Sequence, residues 1–422
     1  MKGKGWKWLI VLALVATVAL AAGCYQTPQG DLSQYDMLKQ VVGIIEEQYG
    51  GLYDVDAADV ILSQALVDSL DKFSYLSDGA YTQASNANIG FTTTRTIYNE
   101  YFVISIAPGM PADDTFEDGF HLERGDEIYA INGNRIRGLG SSYWSAYSAG
   151  GVGTQVTLTI YRDGVLMGDY TYTKVEQVIP RVYYVKDVYA DGSEIGYIKL
   201  TSFALYQTPD GKVLSPVTEF DAAMAQFHED DQKGLVLDLR GNGGGSVSVL
   251  GNIASYFVPH EGTEGIPVLE LEYAKTGEIY VQKAAGHDYV DVPITLLVDG
   301  NTASAAEALV GACRAYNPHA TVIGSDTYGK GVFQSTGIKV KDHTKESETT
   351  FEDTYYLVLV AGYYYIVDPS VEGGRYNIHE HPLSPDIPAT TETYGALTDD
   401  AEMIAAQAWL AEQLQPEAEE LE

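Results

Sequence analysis

Three short apolar runs, LVLDL at 235–239, ITLLV at 294–298 and TVIG at 321–324, each break into a loop of glycine and small polar residues. Segments of helical spacing alternate with them. Phe220, Met224 and Phe227 share one face of 217–229, 247–257 continues the pattern, and DGNTASAAEALVGACRAY (299–316) is a loop running into a helix. Parallel neighbours in a sheet need long crossovers, so strands that alternate with helices predict a largely parallel sheet flanked by helices. Ile195–Leu200 is a further strand. Ligands of such sheets collect where strands end at their carboxyl side. Three loops meet that condition: 241–246, 299–304 and 325–334.

The rest of the chain sets this α/β core, 185–414, inside an α+β multidomain protein. Met37, Leu38, Val41, Val42, Ile44, Ile45 and Tyr49 recur at helical spacing, the glycines at 50 and 51 break the pattern, and a second helix runs from Asp56 to Leu70. This N-terminal helical segment, 34–82, carries nothing catalytic and reads as packing or dimerisation, so a homo-oligomer stays open. Residues 86–176 read as short strands joined by Gly-Asp, Asn-Gly and Asp-Gly turns. Within the core, 268–282 reads as an antiparallel hairpin, 354–367 as Tyr-rich strands and 400–414 as the last helix. The acidic end, 415–422, reads as a solvated tail.

The first residues read as a targeting signal. MKGKGWK is basic, and Trp8–Ala22 is uncharged and apolar but shorter than the roughly 20 residues that span a bilayer. The run closes on LAAGC, so 1–23 is expected to be a signal peptide and 24–33 a tether. The net charge of −34 repels nucleic acid and anionic lipid and suits an extracytoplasmic protein. Beyond Cys24 only Cys313 remains, in an apolar helical pattern, so no intrachain disulfide framework exists and Cys313 reads as a small core residue.

GSDTYGKGVFQ (324–334) nearly spells a phosphate-binding loop. Such a loop needs Ser or Thr after the lysine to hold magnesium, and a helix facing the phosphates. Here Gly331 follows Lys330, and VFQSTGIKV reads as a strand, so no nucleotide cofactor is expected. A serine–lysine pair fits better. A serine hydroxyl needs a base to take its proton, and a lysine serves only when burial lowers its pKa from about 10.4. Ser304 stands at a helix start, Lys330 lies between two glycines, and the Gln334 amide can orient the amine without adding charge. An oxyanion needs two donors. The N–H of Ala305 is one, and a glycine of the GNGGG loop can supply the other. HEH at 379–381 lacks further ligands at useful spacing and reads as a surface loop, so no metal is expected. Glu307 and Asp326 read as a first-turn helix residue and a solvated carboxylate.

Taken in order, the motifs resemble a known family. The turns Pro111-Ala112, Arg124-Gly125-Asp126, Ile131-Asn132-Gly133, Gly153-Thr154 and Arg162-Asp163-Gly164 resemble a PDZ domain of the bacterial protease type. Ile89, Gly90 and Phe91 of NIGF would then form its loop for a peptide carboxylate. With LDKFSYL (70–76), GYIKLTSF (196–203), GLVLDLRGNGGG (234–245), NTASAAEALVGA (301–312), GSDTYGKGVFQ and PLSPDI (382–387), the chain resembles the C-terminal processing peptidases, or tail-specific proteases. The resemblance covers nearly the whole mature length. It implies Ser304 as nucleophile, Lys330 as general base, Gln334 as its orienting partner, and Gly244 or Gly245 as second oxyanion donor beside Ala305. It implies a serine endopeptidase whose substrates are proteins or peptides with free C-termini. LAAGC resembles a lipobox, which implies lipidation of Cys24 and a membrane anchor outside the cytoplasm, with plain secretion as the alternative. Ala306 replaces a usual serine, Gly241 and Gly243 replace a usual asparagine and proline, and the serine–lysine spacing is one residue longer, with the extra residue placed at YNPHA (316–320). The competing classes are a peptide- or cell-wall-binding lipoprotein with a degenerate peptidase fold, and an acyl-transfer or hydratase enzyme acting on thioesters.

Overall fold

The computed structural model describes residues 37, 39–42, 55–77, 87–95, 100–107, 109–138, 150–176, 180–189, 191–207, 212–259, 264–341, 354–391 and 400–415. The signal peptide, Cys24, the tether and most of the first expected helix lie outside them. The chain divides into two units, Met1–Ala80 with Thr336–Val358, and Tyr81–Ser335 with Leu359–Glu422.

In the first unit the second expected helix is present as Val55–Asp68. The segment is not helical to its end. Asp71 accepts from Phe73 N, Ser74 N and Ser74 Oγ, closing a turn in LDKFSYL. Strand Tyr75–Ser77 follows and pairs antiparallel with 356–358.

The core of the second unit is a six-stranded sheet. Ile195–Leu200, Gly234–Asp238, Ile294–Val298, Ala320–Gly324 and Ile387–Pro388 run parallel in that order, and Val182–Val185 is antiparallel at the edge. Alternate residues explain the unbroken apolar runs. Leu235, Leu237, Ile294, Leu296 and Val322 enter one core with the buried faces of helices Pro216–Glu229, Val247–Ala254 and Ala305–Tyr316. Val236, Leu297 and Ile323 enter the opposite core with Met403, Ala406 and Leu410 of helix Ala401–Gln413. A parallel strand covered on both faces has no polar side to alternate with, and each fully buried aliphatic side chain contributes about 1.5–3 kcal/mol. The expected hairpin is Ile266–Tyr273 with Ile279–Ala284, and Thr354–Val367 is one strand whose 362–366 portion pairs with 269–273.

The β-domain of this unit is a sheet ordered Phe91–Arg95, Tyr101–Ile106, Glu127–Ile131, Gln155–Arg162, Val165–Thr173. Ile89, Val103, Ile128, Leu158 and Ile160 lie in its core. The Arg124-Gly125-Asp126 and Arg162-Asp163-Gly164 turns are tied together, because Arg162 Nε and Nη2 donate to Asp126 Oδ1 at 2.7 Å and Oδ2 at 2.9 Å.

Candidate active site

Consecutive parallel strands bring the three loops to one end of the sheet, and hydrogen bonds lock them together. Asp299 Oδ1 accepts from Gly241 N at 2.9 Å and from Asn301 N at 3.0 Å. Thr302 Oγ1 donates to Leu239 O at 3.0 Å, and Ala303 N donates to Asn242 O at 2.9 Å. Tyr328 N donates to Thr302 O at 3.0 Å, which adds the lysine loop.

Ser304 precedes helix Ala305–Tyr316 with φ 59° and ψ −120°. A non-glycine residue there is strained by about 1–3 kcal/mol, as at the strand-to-helix turns that present serine nucleophiles. The restraint comes from Glu307, three residues on and wholly buried. Glu307 Oε2 accepts from Ser304 N at 2.8 Å and Lys330 N at 3.0 Å; Oε1 accepts from Thr327 Oγ1 at 2.6 Å and Gly329 N at 2.7 Å. One carboxylate therefore joins the nucleophile turn to the lysine loop. In sequence Glu307 reads as an ordinary first-turn residue. The sequence signal for its bond to Ser304 N is the S-x-x-E spacing of a capping box.

Lys330 Nζ donates to Gln334 Oε1 at 3.0 Å from the start of strand Val332–Lys341. Burial pushes the Lys330 ammonium below its ordinary pKa, against a partial upward pull from the Glu307 carboxylate. That is the direction a general base requires.

Gly244 lies against the nucleophile. With φ +94°, a Cβ on it would lie 2.7 Å from Ala303 O, 2.8 Å from Ser304 Cβ and 2.9 Å from Ala305 N. Only glycine can adopt this backbone at this distance. Gly244 N donates to Asn242 Oδ1 at 2.9 Å, while Gly245 follows in a bridge to Phe203. Ala305, the first helical residue, has no intrahelical acceptor for its N–H.

A buried charge network, not anticipated from sequence, underlies the glycine loop. Asp238 accepts from Lys199 Nζ at 3.0 Å, Tyr197 OH at 2.8 Å and Arg240 Nη2 at 2.8 Å. Arg240 Nη1 reaches Asp400 at 2.8 Å, and Arg124 of the β-domain donates to the same Asp400. Burial alone would raise the Asp238 carboxyl, but Arg240 and then Lys199 hold it well below the usual carboxylate range.

In the β-domain, Ile89 is buried and its carbonyl accepts from Ala112 N at 2.7 Å. Gly90 has φ +88°, and a Cβ on it would meet Met110 Cβ at 2.2 Å. Phe91 opens strand Phe91–Arg95, which pairs antiparallel with Tyr101–Ile106. Asp326 is exposed and makes no carboxylate pair with Glu307, whose oxygens are taken by Ser304, Thr327, Gly329 and Lys330.

A parallel sheet with a strained serine, a half-buried lysine and a glycine loop at its carboxyl end, joined to a small β-domain, defines a serine-peptidase architecture. Residues 194–388 match peptidase family S41 and residues 87–167 match the PDZ domain. The carboxy-terminal processing protease CtpA of Bacillus subtilis (strain 168) is 27% identical over 349 residues, 78% of this chain and 69% of that protein. A carboxyl-terminal-processing protease of Synechocystis sp. (strain PCC 6803) is 30% identical over 238 residues, 56% of this chain and 51% of that protein. The chain thus spans from about half to about two thirds of these relatives' length. Two solved structures share the fold: the photosystem II D1 C-terminal processing protease, with TM-score 0.51, 21% identity and 89% and 90% of the two chains covered, and an S41 protein of Bacteroides fragilis NCTC 9343, with TM-score 0.56, 19% identity and 84% and 90% covered. The chain thus carries a segment, 194–388, that matches the serine-peptidase family S41, and a PDZ domain.

Proposed function

We propose that this chain is a serine endopeptidase working through a Ser304–Lys330 dyad. The carrying observation is the shared Glu307 carboxylate, which ties the strained Ser304 to a half-buried Lys330 whose amine is held by Gln334. Neutral Lys330 takes the Ser304 Oγ proton as Oγ bonds to the substrate carbonyl carbon and the carbonyl π pair moves to oxygen. Ala305 N–H and an N–H of the glycine loop, from Gly245 or from Gly244 once it leaves Asn242, donate to that oxygen. The departing amine takes the proton back from Lys330, and water then releases the acyl group with Lys330 again as base.

The PDZ domain is proposed to receive substrate C-termini, with Ile89, Gly90 and Phe91 at the carboxylate and Phe91–Arg95 as the edge that a peptide strand extends. Amidating the peptide C-terminus should weaken binding and cleavage; equal behaviour of acid and amide would reduce this domain to a spacer. The protein is proposed to act outside the cytoplasm, anchored through a lipid on Cys24. Cys24→Ser should leave the membrane fraction, and unchanged fractionation would sink the anchor.

The deciding experiment is hydrolysis of an unstructured polypeptide by wild type, Ser304→Ala, Lys330→Ala and Lys330→Arg, with and without chelator and ATP. All three variants should be inactive, since arginine keeps the charge but cannot accept the proton. Chelator and ATP should change nothing. A wild type no faster than Ser304→Ala would instead mark a peptide-binding protein.

A further inference from the structure

Tyr364 lies in the Thr354–Val367 strand, within the segment that reads in sequence only as Tyr-rich strands. It is 3% exposed, and its hydroxyl donates to the Ser304 carbonyl oxygen at 3.2 Å. Its backbone N–H donates to Gly331 O at 3.1 Å, next to Lys330. Asn377 Nδ2 steadies both ends of that link, donating to Gly331 O at 2.8 Å and Tyr364 O at 2.5 Å. One residue thus spans the two halves of the dyad.

The Ser304 carbonyl and the Ala305 N–H belong to the same planar peptide unit, and in a trans peptide they point in opposite directions. Fixing the oxygen therefore fixes the line of the N–H. Ala305 N lies on the side of the glycine loop, where a Cβ on Gly244 would come within 2.9 Å of it. Ser304 O also accepts Ala308 N at 2.9 Å, the ordinary helical bond. That bond alone leaves the first peptide of a helix free to tilt, and the Tyr364 hydroxyl is a second restraint from another direction. A donor on the carbonyl also polarises the peptide and strengthens its N–H as a donor.

We propose that Tyr364 is a positioning residue for the oxyanion hole, aiming and polarising the Ala305 N–H through the Ser304 carbonyl. The inference rests on the dyad reading above. Burial, and then the Glu307 charge, push the Tyr364 phenol well above its ordinary pKa, so it stays a donor across the working range of the enzyme.

The test is Tyr364→Phe, which keeps the ring and leaves Ser304 O with its Ala308 partner. Removing an oxyanion donor outright lowers kcat by about 10²–10³; loosening one should lower it by about tenfold. KM should stay within about twofold, because the ground-state carbonyl uses the hole little. A peptide boronic acid, which forms a tetrahedral adduct on Ser304 Oγ, should lose affinity by the same factor as kcat. The acid limb of the rate profile should not move, since Lys330 is untouched. Binding of an uncleaved peptide to Ser304→Ala and to Ser304→Ala/Tyr364→Phe should be equal. Unchanged kcat, parallel losses in kcat and peptide binding, a shifted acid limb, or a Tyr364→Phe chain that does not fold would each overturn the inference, the last because the hydroxyl would then hold the fold rather than the hole. A wild type no faster than Ser304→Ala removes the dyad reading and this inference together. An active wild type matched by Tyr364→Phe removes this inference alone.

Discussion

Ser304 and Lys330 donate their backbone N–H groups to the same oxygen, Glu307 Oε2, at 2.8 and 3.0 Å. One carboxylate oxygen therefore ties the backbone of the nucleophile to the backbone of the base. Glu307→Gln replaces one oxygen with an NH2 group, which must face two N–H or O–H donors whichever way the amide turns. Each unsatisfied buried group costs about 1–3 kcal/mol, so urea unfolding should show a loss of roughly 3 kcal/mol, and kcat should fall by about 10² or more. Wild-type stability in this variant would show that the carboxylate is replaceable.

The same variant makes a signed prediction for pH. Burial lowers the Lys330 pKa and Glu307 opposes that shift. Loss of the Glu307 charge should lower it further, and the active form is the neutral amine. The acid limb of kcat/KM should then move to lower pH in the residual activity of Glu307→Gln. Gln334→Glu places a new carboxylate where the amide oxygen now lies 3.0 Å from Nζ. It should raise the Lys330 pKa by about 1–3 units and move the acid limb to higher pH, with a slower rate near neutrality. Measuring the three profiles across about pH 5 to 10 decides it. Shifts of the same sign in both variants would mean that Lys330 is not the group that titrates.

Much of this site was legible in the sequence because it depends on local order. Strand, loop and helix recur along the chain, so the loops at 241–246, 299–304 and 325–334 had to meet at one sheet end, which brings the candidate residues Ser304 and Lys330 to that end. What was not legible depends on partners far apart in the chain. Tyr364 is 60 residues from Ser304, and Asp400 is 160 from Arg240. A buried tyrosine or aspartate looks the same in sequence whether it serves packing or a distant carbonyl. Glu307 lay between these cases: its cap spacing was visible, but its bonds to Thr327, Gly329 and Lys330 were not.

Gly244 should tolerate no side chain. In Gly244→Ala the new Cβ would press on Ser304 Cβ, Ala303 O and Ala305 N, and φ +94° is costly for alanine. The neighbours are mostly backbone, so relief must move the nucleophile turn itself. Activity should fall by at least about 10², with the loss seen in kcat and in reactivity of Ser304 toward a fluorophosphonate. Gly243→Ala, with nothing within 4 Å of a new Cβ, is the control and should stay active. Equal activity of the two variants would place the glycine loop away from the chemistry.

The network beneath that loop should govern acid stability. Asp238 is 1% exposed and held ionised by Arg240 and Lys199 against the cost of burial. Its folded-state pKa lies below the unfolded value of about 3.9, so its stabilisation is complete above that value and is lost progressively as pH falls below it. Asp238→Asn leaves Arg240 and Lys199 as uncompensated buried charges, which should cost about 3–5 kcal/mol near neutral pH. Urea unfolding of the two proteins should show that gap at pH 7 and a narrower one at about pH 3, because the wild-type carboxylate takes up a proton there in the unfolded chain while it stays ionised in the folded one. Arg240 also pairs with Asp400, the cap of the last helix, and Arg124 reaches that same aspartate from the PDZ domain, so the gap should not close completely. A gap of the same size at both pH values would show that Asp238 contributes shape and hydrogen bonds but no net charge stabilisation.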